Sequence, residues 1–315
     1  MHVLVTGAAG FVGRHLLKAL KARGHQVTAL ARGRTEDVNA DHVVVAELTP
    51  GRNWRGLFDG VDAVIHLADG LRAFEGLKHS PGQAAEDEVV AMSLNLARAA
   101  QAAGVSRFIY LSSIKAAAGE QADSILVETD APSPTRPLYG VLKARIEAEL
   151  LELAAGGKMN VMALRSPIVY GPGGGGNFLK LIHLADSAWP LPFGGIDNRR
   201  SLIAIANLCD ALCLAAELEA GPPVIYFVHD GKPVSISWLI GCLRGFLGRP
   251  AHLFVVSRFL WLIAERLPFL RAKLSRLTGS LELSDEKFRR DYGWQSVVTT
   301  EAALHELVET YRQVS

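Results

Sequence analysis

The sequence predicts an α/β fold: a doubly wound parallel sheet with helices on both faces and a smaller lobe toward the C-terminus. Three observations carry that expectation. Continuous apolar runs, which suit strands buried on both faces, alternate with segments of helical period through the first half. A glycine cluster falls at the first strand–helix junction. The alternation loosens after Gly171.

The elements follow in order. HVLVTG is an apolar run ending at Gly7, and FVGRHLLKALKARG spaces its apolar residues as a helix does. HQVTALAR, HVVVAEL and VDAVIHLA read as the next three strands, with a short helix expected around Trp54–Phe58. An Ala-rich helix is expected from about Gln83 to Ala103, then the strand SRFIYLSS, a helix over about 136–155, and MNVMALRSPIVYG as one strand. Right-handed crossovers between parallel strands place ligands at the carboxyl ends of the sheet. Beyond it, PGGGG at 172–176 signals a loop. A strand near Ser201–Ile205, a helix over Asn207–Leu218, a strand over Val224–Val228 and several helices follow. The expected division is a dinucleotide-binding domain over 1–170 and a mainly substrate-binding lobe over 171–315, with some elements returning to the first.

Composition narrows the function. The 315 residues are 49% hydrophobic, enough for a large core, and 33 basic against 32 acidic residues leave a net charge of +1. Such balance gives no footprint for nucleic acid. The three cysteines, Cys209, Cys213 and Cys242, lack redox or zinc-ribbon spacing, so buried thiols and no metal are expected. Met1 leads straight into a strand without a targeting pattern, and a cytoplasmic location is expected. LFVVSRFLWLIAERLPFLRAKLSRL, at 253–277, has the composition of an amphipathic helix pair; a packing face is favoured over a membrane surface.

VTGAAGFVG places Gly7, Gly10 and Gly13 directly after a strand and at the opening of a helix. The tight turn needs glycine torsions, and the helix N-terminus offers amides and positive dipole to a pyrophosphate, the Rossmann arrangement. The second strand ends TALARGR. An NAD site usually has a carboxylate here for the adenosine ribose. Arg32 instead suits a 2′-phosphate, so NADP is favoured over NAD; the plain alternative is a solvated arginine. Glu47 and Leu48 in AEL border the expected adenine position, and HLADG at 66–70 would bring backbone to the adenosine and pyrophosphate. His66 itself reads as a satisfied core histidine.

VTGAAGFVG, HLADG, LSSIK, YGVLK, LRSPIVYGPG and RRSLIAIANLCDAL occur in an order that spans almost the whole chain. Together they resemble the extended short-chain dehydrogenase/reductases, specifically the NAD(P)-dependent nucleotide-sugar epimerase/dehydratase group. Within it, SSIKAAAGE and NRRSL look most like bacterial polysaccharide enzymes, the 4-reductases of UDP-4-keto-6-deoxy-N-acetylglucosamine that yield UDP-N-acetylquinovosamine. The resemblance implies cofactor contacts at Gly7, Gly10, Phe11, Val12, Gly13, Arg32, Glu47, Leu48, Leu67, Ala68, Asp69, Leu111, Tyr139, Lys143, Ser166 and Pro167. It implies a homodimer, with the helices at 83–103 and 136–155 as candidates for the interface.

Tyr139 and Lys143 stand four apart and share a helix face. A free phenol titrates near pH ~10, and a neighbouring ammonium stabilises its phenolate. By the resemblance, Tyr139 exchanges a proton with the sugar oxygen, Lys143 holds the nicotinamide ribose, and Ser113 hydrogen-bonds the sugar oxygen, with Ser112 the neighbouring alternative. Dehydratases of the group place Asp–Glu after this residue; Ile114–Lys115 follow here, which disfavours dehydration. Lys115 either meets the substrate or is a solvated loop charge. On the substrate side the resemblance implies Asn177 and Phe178 of GPGGGGNFLKL, with Asn177 at a helix N-cap, and at least one of Arg199 and Arg200 facing the pyrophosphate. Arg165 and Tyr170 read as structural.

The expected function is reduction of a keto group on a nucleotide-linked sugar. The alternatives are a UDP-hexose 4-epimerase acting on UDP-glucose or UDP-N-acetylglucosamine, and a non-catalytic dinucleotide sensor. A sensor commonly lacks Tyr or Lys of the pair, and both are present here.

Overall fold

The computed structural model describes residues 1–33, 38–74, 81–218, 224–257 and 277–314. Seven parallel strands form the main sheet: β1 (His2–Thr6), β2 (Gln26–Ala31), β3 (His42–Val45), β4 (Ala63–His66), β5 (Arg107–Ser113), β6 (Asn160–Ser166) and β10 (Val224–Phe227). Their spatial order is β10-β6-β5-β4-β1-β2-β3, so the order reverses between β1 and β4. Ligands of open parallel sheets bind outside the carboxyl ends at such a reversal. The expected doubly wound fold is present.

Residues alternate across the strands, and the two faces carry different helices. Val3, Val5, Ile65 and Ile109 pack with α1 (Phe11–Ala22) and α5 (Ile205–Glu217). Leu4, Val64, Phe108 and Tyr110 pack with α2 (Gln83–Ala102) and α3 (Leu138–Ala155). Both α5 and β10 come from beyond residue 170, yet α5 covers one face of the first sheet and β10 is its edge strand. Another core gathers Tyr170, Phe178, Ile182 and, from β8 (Leu191–Gly194), Leu191 with Leu239, Ile240 and Leu243 of α6 (Ile236–Phe246) and Leu304 and Leu307 of a helix over Thr300–Val314.

Three expectations at element level are corrected. Residues 54–58 form turns rather than a helix: the Leu57 amide donates to Trp54 O at 3.1 Å and the Val61 amide to Phe58 O at 3.0 Å. Trp54 and Phe58 are buried anchors of that loop. MNVMALRSPIVYG is two strands, because Pro167 has no amide for the ladder. After β6, Ile168–Tyr170 becomes β7, which leaves the main sheet to pair with β9 (Leu202–Ala204). Asn177 is not an N-cap: α4 spans Gly176–Asp186 and Gly175 caps it, so Asn177 lies inside its first turn. Most of the 253–277 segment, residues 258–276, lies outside the described residues. No helix among the described residues is long and apolar enough to cross a membrane.

Candidate active site

Beyond the paired ends of β1 and β4, one hydroxyl ties β1 to the chain that follows β4. Thr6 Oγ1 accepts the amides of Leu67 and Ala68, at 3.1 and 3.2 Å. Its hydrogen is then left for His66 Nδ1, 2.8 Å away. The imidazole must therefore be neutral and protonated at Nε2, which meets Ser93 Oγ at 3.0 Å. Burial pushes the His66 pKa down to about 4, in keeping with that tautomer. His66 is the satisfied core histidine that the apolar strand suggests.

The glycine turn next to it is built for close approach. Gly7 has φ +67°, and a Cβ there would lie 3.1 Å from Ala68 Cβ. A Cβ on Gly13 would collide with the carbonyls of Gly7 and Ala8, so only glycine lets α1 start against the turn. Gly10 caps α1 without any side-chain hydrogen bond, and its first turn holds no acidic residue. A helix N-terminus that no side chain among the described residues caps fits an anionic diphosphate. The chain thus fits a dinucleotide here, and Gly10, Phe11 and Val12 stand at least partly open to it. Arg32 is exposed directly after β2; Glu47 is exposed and Leu48 half-buried just beyond β3.

Across the crevice, α3 presents Tyr139 and Lys143. Gly140 explains how the helix comes so close: a Cβ there would penetrate the carbonyl of Lys115 in the short turn Ile114–Ala116 after β5. Lys143 is 4% exposed. Its Nζ donates to Leu111 O at 2.7 Å, is in direct contact with Asp69 Oδ2, and lies 4.6 Å from the Tyr110 ring centre and 5.8 Å from that of Tyr139. Asp69 also accepts from Tyr110 OH at 3.1 Å and from the Leu71 amide at 3.1 Å. Burial alone would raise the Asp69 pKa and lower that of Lys143. Their mutual attraction prevails in both: Asp69 is held below the usual carboxylate range and Lys143 above the usual amine range. Burial, reinforced by Asp69, pushes the Tyr110 phenol well above its ordinary value.

The two candidate serines differ. Ser112 pairs in register with Arg165, is 3% exposed, and its Oγ has no hydrogen-bond partner among the described residues. Ser113 ends the strand half-buried and accepts the Lys115 amide at 3.2 Å. Ser166 and Pro167 are buried beside this end, with Ser166 Oγ 3.4 Å from Ser112 O. Ile114 is buried, and Lys115 donates to Gly119 O at 2.7 Å and pairs with Glu120 at 3.0 Å.

The substrate-side candidates divide. Arg199 is exposed and forms a two-pronged pair with Glu282. Arg200 turns inward, donating to Gly279 O at 2.8 Å and Glu120 O at 3.4 Å, and burial lowers its pKa. Lys115 and Arg200 therefore meet around Glu120, whereas Arg199 points elsewhere. Phe178 is a core residue, stacked on Tyr170 with ring centres 5.1 Å apart. Tyr170 OH donates to Asp230 at 2.7 Å, and Arg165 binds Glu147; both are structural.

Sequence reasoning passed over Tyr110, Gly140 and the pairing of Asp69 with Lys143. Tyr110 could have been found from strand alternation, two residues before Ser112 on the face that α3 covers.

A glycine cradle on a helix N-terminus, facing a buried lysine and a tyrosine across the sheet reversal, defines a dinucleotide-dependent oxidoreductase fold. The comparisons with known proteins give the family. The model described as "NAD dependent epimerase/dehydratase family" matches residues 3–228, and the chain belongs to that family, as an extended short-chain dehydrogenase/reductase enzyme. It is 27% identical to a UDP-glucose 4-epimerase of Vibrio cholerae over 99% of this chain and 96% of the relative. It is 29% identical to a dTDP-4-dehydro-6-deoxy-D-allose reductase of a Streptomyces species over 80% of this chain and 82% of the relative. The solved structure of MoeE5 in complex with UDP-glucuronic acid and NAD superimposes with a TM-score of 0.77, at 25% identity and 100% of both chains.

Proposed function

We propose that this enzyme reduces the 4-keto group of a UDP-4-keto-6-deoxy-hexosamine, with NADPH favoured over NADH. The observation that carries the reading is the end of β2. Ala31 closes the strand and the exposed Arg32 follows, where a carboxylate would bind the adenosine ribose diol of NAD. A guanidinium suits a 2′-phosphate, and a net reductase must exchange its cofactor every turnover. The dTDP-4-dehydro-6-deoxy-D-allose reductase relative, by its name, reduces a sugar nucleotide of related chemistry.

Gly7, Gly10 and Gly13 would hold the pyrophosphate of the dinucleotide, and Lys143 its nicotinamide ribose. When bound there, a reduced nicotinamide would supply the hydride for the ketone carbon. Tyr139 donates the proton that the carbonyl oxygen takes up as it becomes a hydroxyl, and Ser113 hydrogen-bonds that oxygen. Ile114 and Lys115 stand after Ser113 where the dehydratases of the group place their Asp–Glu pair, which speaks against removal of water from the neighbouring carbons. Tyr139→Phe is expected to lower turnover about 10²- to 10⁴-fold while leaving cofactor affinity unchanged. Unchanged turnover overturns the role.

A UDP-hexose 4-epimerase is the second reading, favoured by the near full-length likeness to the Vibrio cholerae enzyme. An epimerase oxidises and re-reduces one carbon, and so profits from retaining NAD. The deciding experiment quantifies nicotinamide in the purified protein and then titrates NADPH and NADH separately. An empty protein that binds NADPH more tightly supports the reductase. Retained NAD supports the epimerase and makes Arg32 a surface residue.

A further inference from the structure

A buried carboxylate lies in the same charge cluster as the proposed acid. Asp69 touches the Lys143 ammonium, and the ring of Tyr139 lies 5.8 Å from that nitrogen. An ammonium alone favours the phenolate of a neighbouring tyrosine; an ammonium neutralised by a carboxylate does so much less. We propose that Asp69 is a positioning residue that sets the charge at Tyr139: it aims and neutralises the Lys143 ammonium, and so keeps the phenol protonated to higher pH than the lysine alone would. This suits a tyrosine that must enter the cycle as an acid, and it rests on the reading of Tyr139 as the proton donor.

The other groups around the cluster supply less of this charge, and Glu147 acts on the Lys143 ammonium more weakly than Asp69 does. From β4, His66 is neutral between Thr6 and Ser93. From β5, Tyr110 is an uncharged donor to Asp69. From α3, Glu147 is taken up by Arg165 of β6, in a pair of 2.6 Å. From the turn after β5, Lys115 is paired with Glu120. Asp69 is also fixed independently of any ligand, because the Leu71 amide and Tyr110 OH hold its two oxygens. Asp69 and Lys143 each stabilise the charged form of the other, so the pair stays ionised across neutral pH.

The test needs neither substrate nor cofactor. Tyrosinate absorbance is titrated in the ligand-free protein, and the same protein carrying Tyr139→Phe is subtracted to isolate the Tyr139 step. In Asp69→Asn, whose single carbonyl oxygen can still accept from the Leu71 amide while its NH2 faces the Tyr110 hydroxyl oxygen, the step is expected to move to lower pH by about one unit. Asp69→Glu, which keeps the charge, is expected to return it toward the wild-type position. A role in folding alone would lower the melting temperature and leave the step in place, and that result overturns the proposal, as does a step that rises. Should Asp69→Asn fail to give a folded circular dichroism spectrum, Asp69→Ser carries the same expectation. A shifted step together with full turnover in Tyr139→Phe would uphold the charge coupling and reject the proton donor, so the two readings fail separately.

Discussion

Helix α3 ties itself to the sheet through two buried ion pairs one turn apart, and they are built differently. Glu147 and Arg165 form a closed pair. Arg165 Nε donates to both carboxylate oxygens, at 2.9 and 3.2 Å, and its terminal nitrogen donates at 2.6 Å. The guanidinium also lies 5.7 Å from the ring centre of Phe227. Lys143 and Asp69 form an open pair, with each partner shared. The lysine also serves Leu111 O and lies beside two tyrosines, and the aspartate also serves Tyr110 and Leu71. The same helix face and similar charges give a clamp in one place and a cluster of shared donors and acceptors in the other. What separates them is position along the strands: Asp69 lies in the turn beyond the carboxyl end of β4, beside the glycine cradle, whereas Arg165 lies within β6.

The largest expected effect breaks the closed pair. Arg165→Met leaves Glu147 buried with no cation, and Glu147→Gln leaves the guanidinium buried with no anion. Removing one partner of such a pair costs about 3–5 kcal/mol, measured by urea unfolding. Replacing both, as Arg165→Met with Glu147→Leu, is expected to recover most of that loss, because the desolvation of two charges disappears with their attraction. A double variant as unstable as the singles would show that the pair does more than satisfy itself.

The next effect separates the open pair from the histidine beneath it. The His66 pKa is depressed from 6.5 to about 4 in the fold, so between those pH values the unfolded chain binds a proton that the folded ring refuses. Stability therefore rises with pH across that window and is lost as pH falls through it, by about 3 kcal/mol in all at most. Asp69 is depressed below its ordinary value, so its contribution is present above the normal carboxylate range and is lost only at lower pH, as its folded pKa is passed. His66→Gln is expected to flatten the window between pH 6.5 and 4 in urea titrations and to leave the more acid limb. An unchanged window would assign that limb to other groups.

The parts of this architecture that were legible in the sequence are those set by local pattern. Apolar runs ending in Gly7 and Ser113 marked strands, and the spacing of Tyr139 and Lys143 marked one helix face. Two misplaced elements failed for local reasons as well. Trp54 and Phe58 have the spacing of a helix face but are anchors of successive turns, and Pro167 divides an apolar run that hydropathy alone joins. Asn177 preceded helical spacing as a cap would, yet Gly175 takes that position. The Asp69–Lys143 contact lay beyond reach for another reason. Its partners come from different crossovers, and nothing near Asp69 in HLADG indicates a lysine so far along the chain. Glu147 carried a faint signal, as a carboxylate one turn after Lys143 on a helix face that is otherwise apolar.

The smallest expected effect on stability sharpens the contrast most. Gly140 lies between Tyr139 and Val141, at the end of α3 that carries the open pair, while Glu147 lies two turns further along. In Gly140→Ala the added methyl meets the Lys115 carbonyl, so the start of the helix must move off the turn after β5. Overpacking of this kind costs about 1–3 kcal/mol, less than breaking the closed pair. Activity should suffer out of proportion, because the displaced end carries Tyr139, the proposed proton donor, and Lys143, and a misplacement of about 1 Å at a reacting group can cost about 10²-fold in rate. The check is a pair of measurements on one variant: urea stability, and turnover with the ketone substrate. A stability loss comparable to that of Arg165→Met would show that the two ends of α3 move as one body. A modest loss with turnover largely gone would show that the closed pair holds the helix in place while the open end alone sets the chemistry.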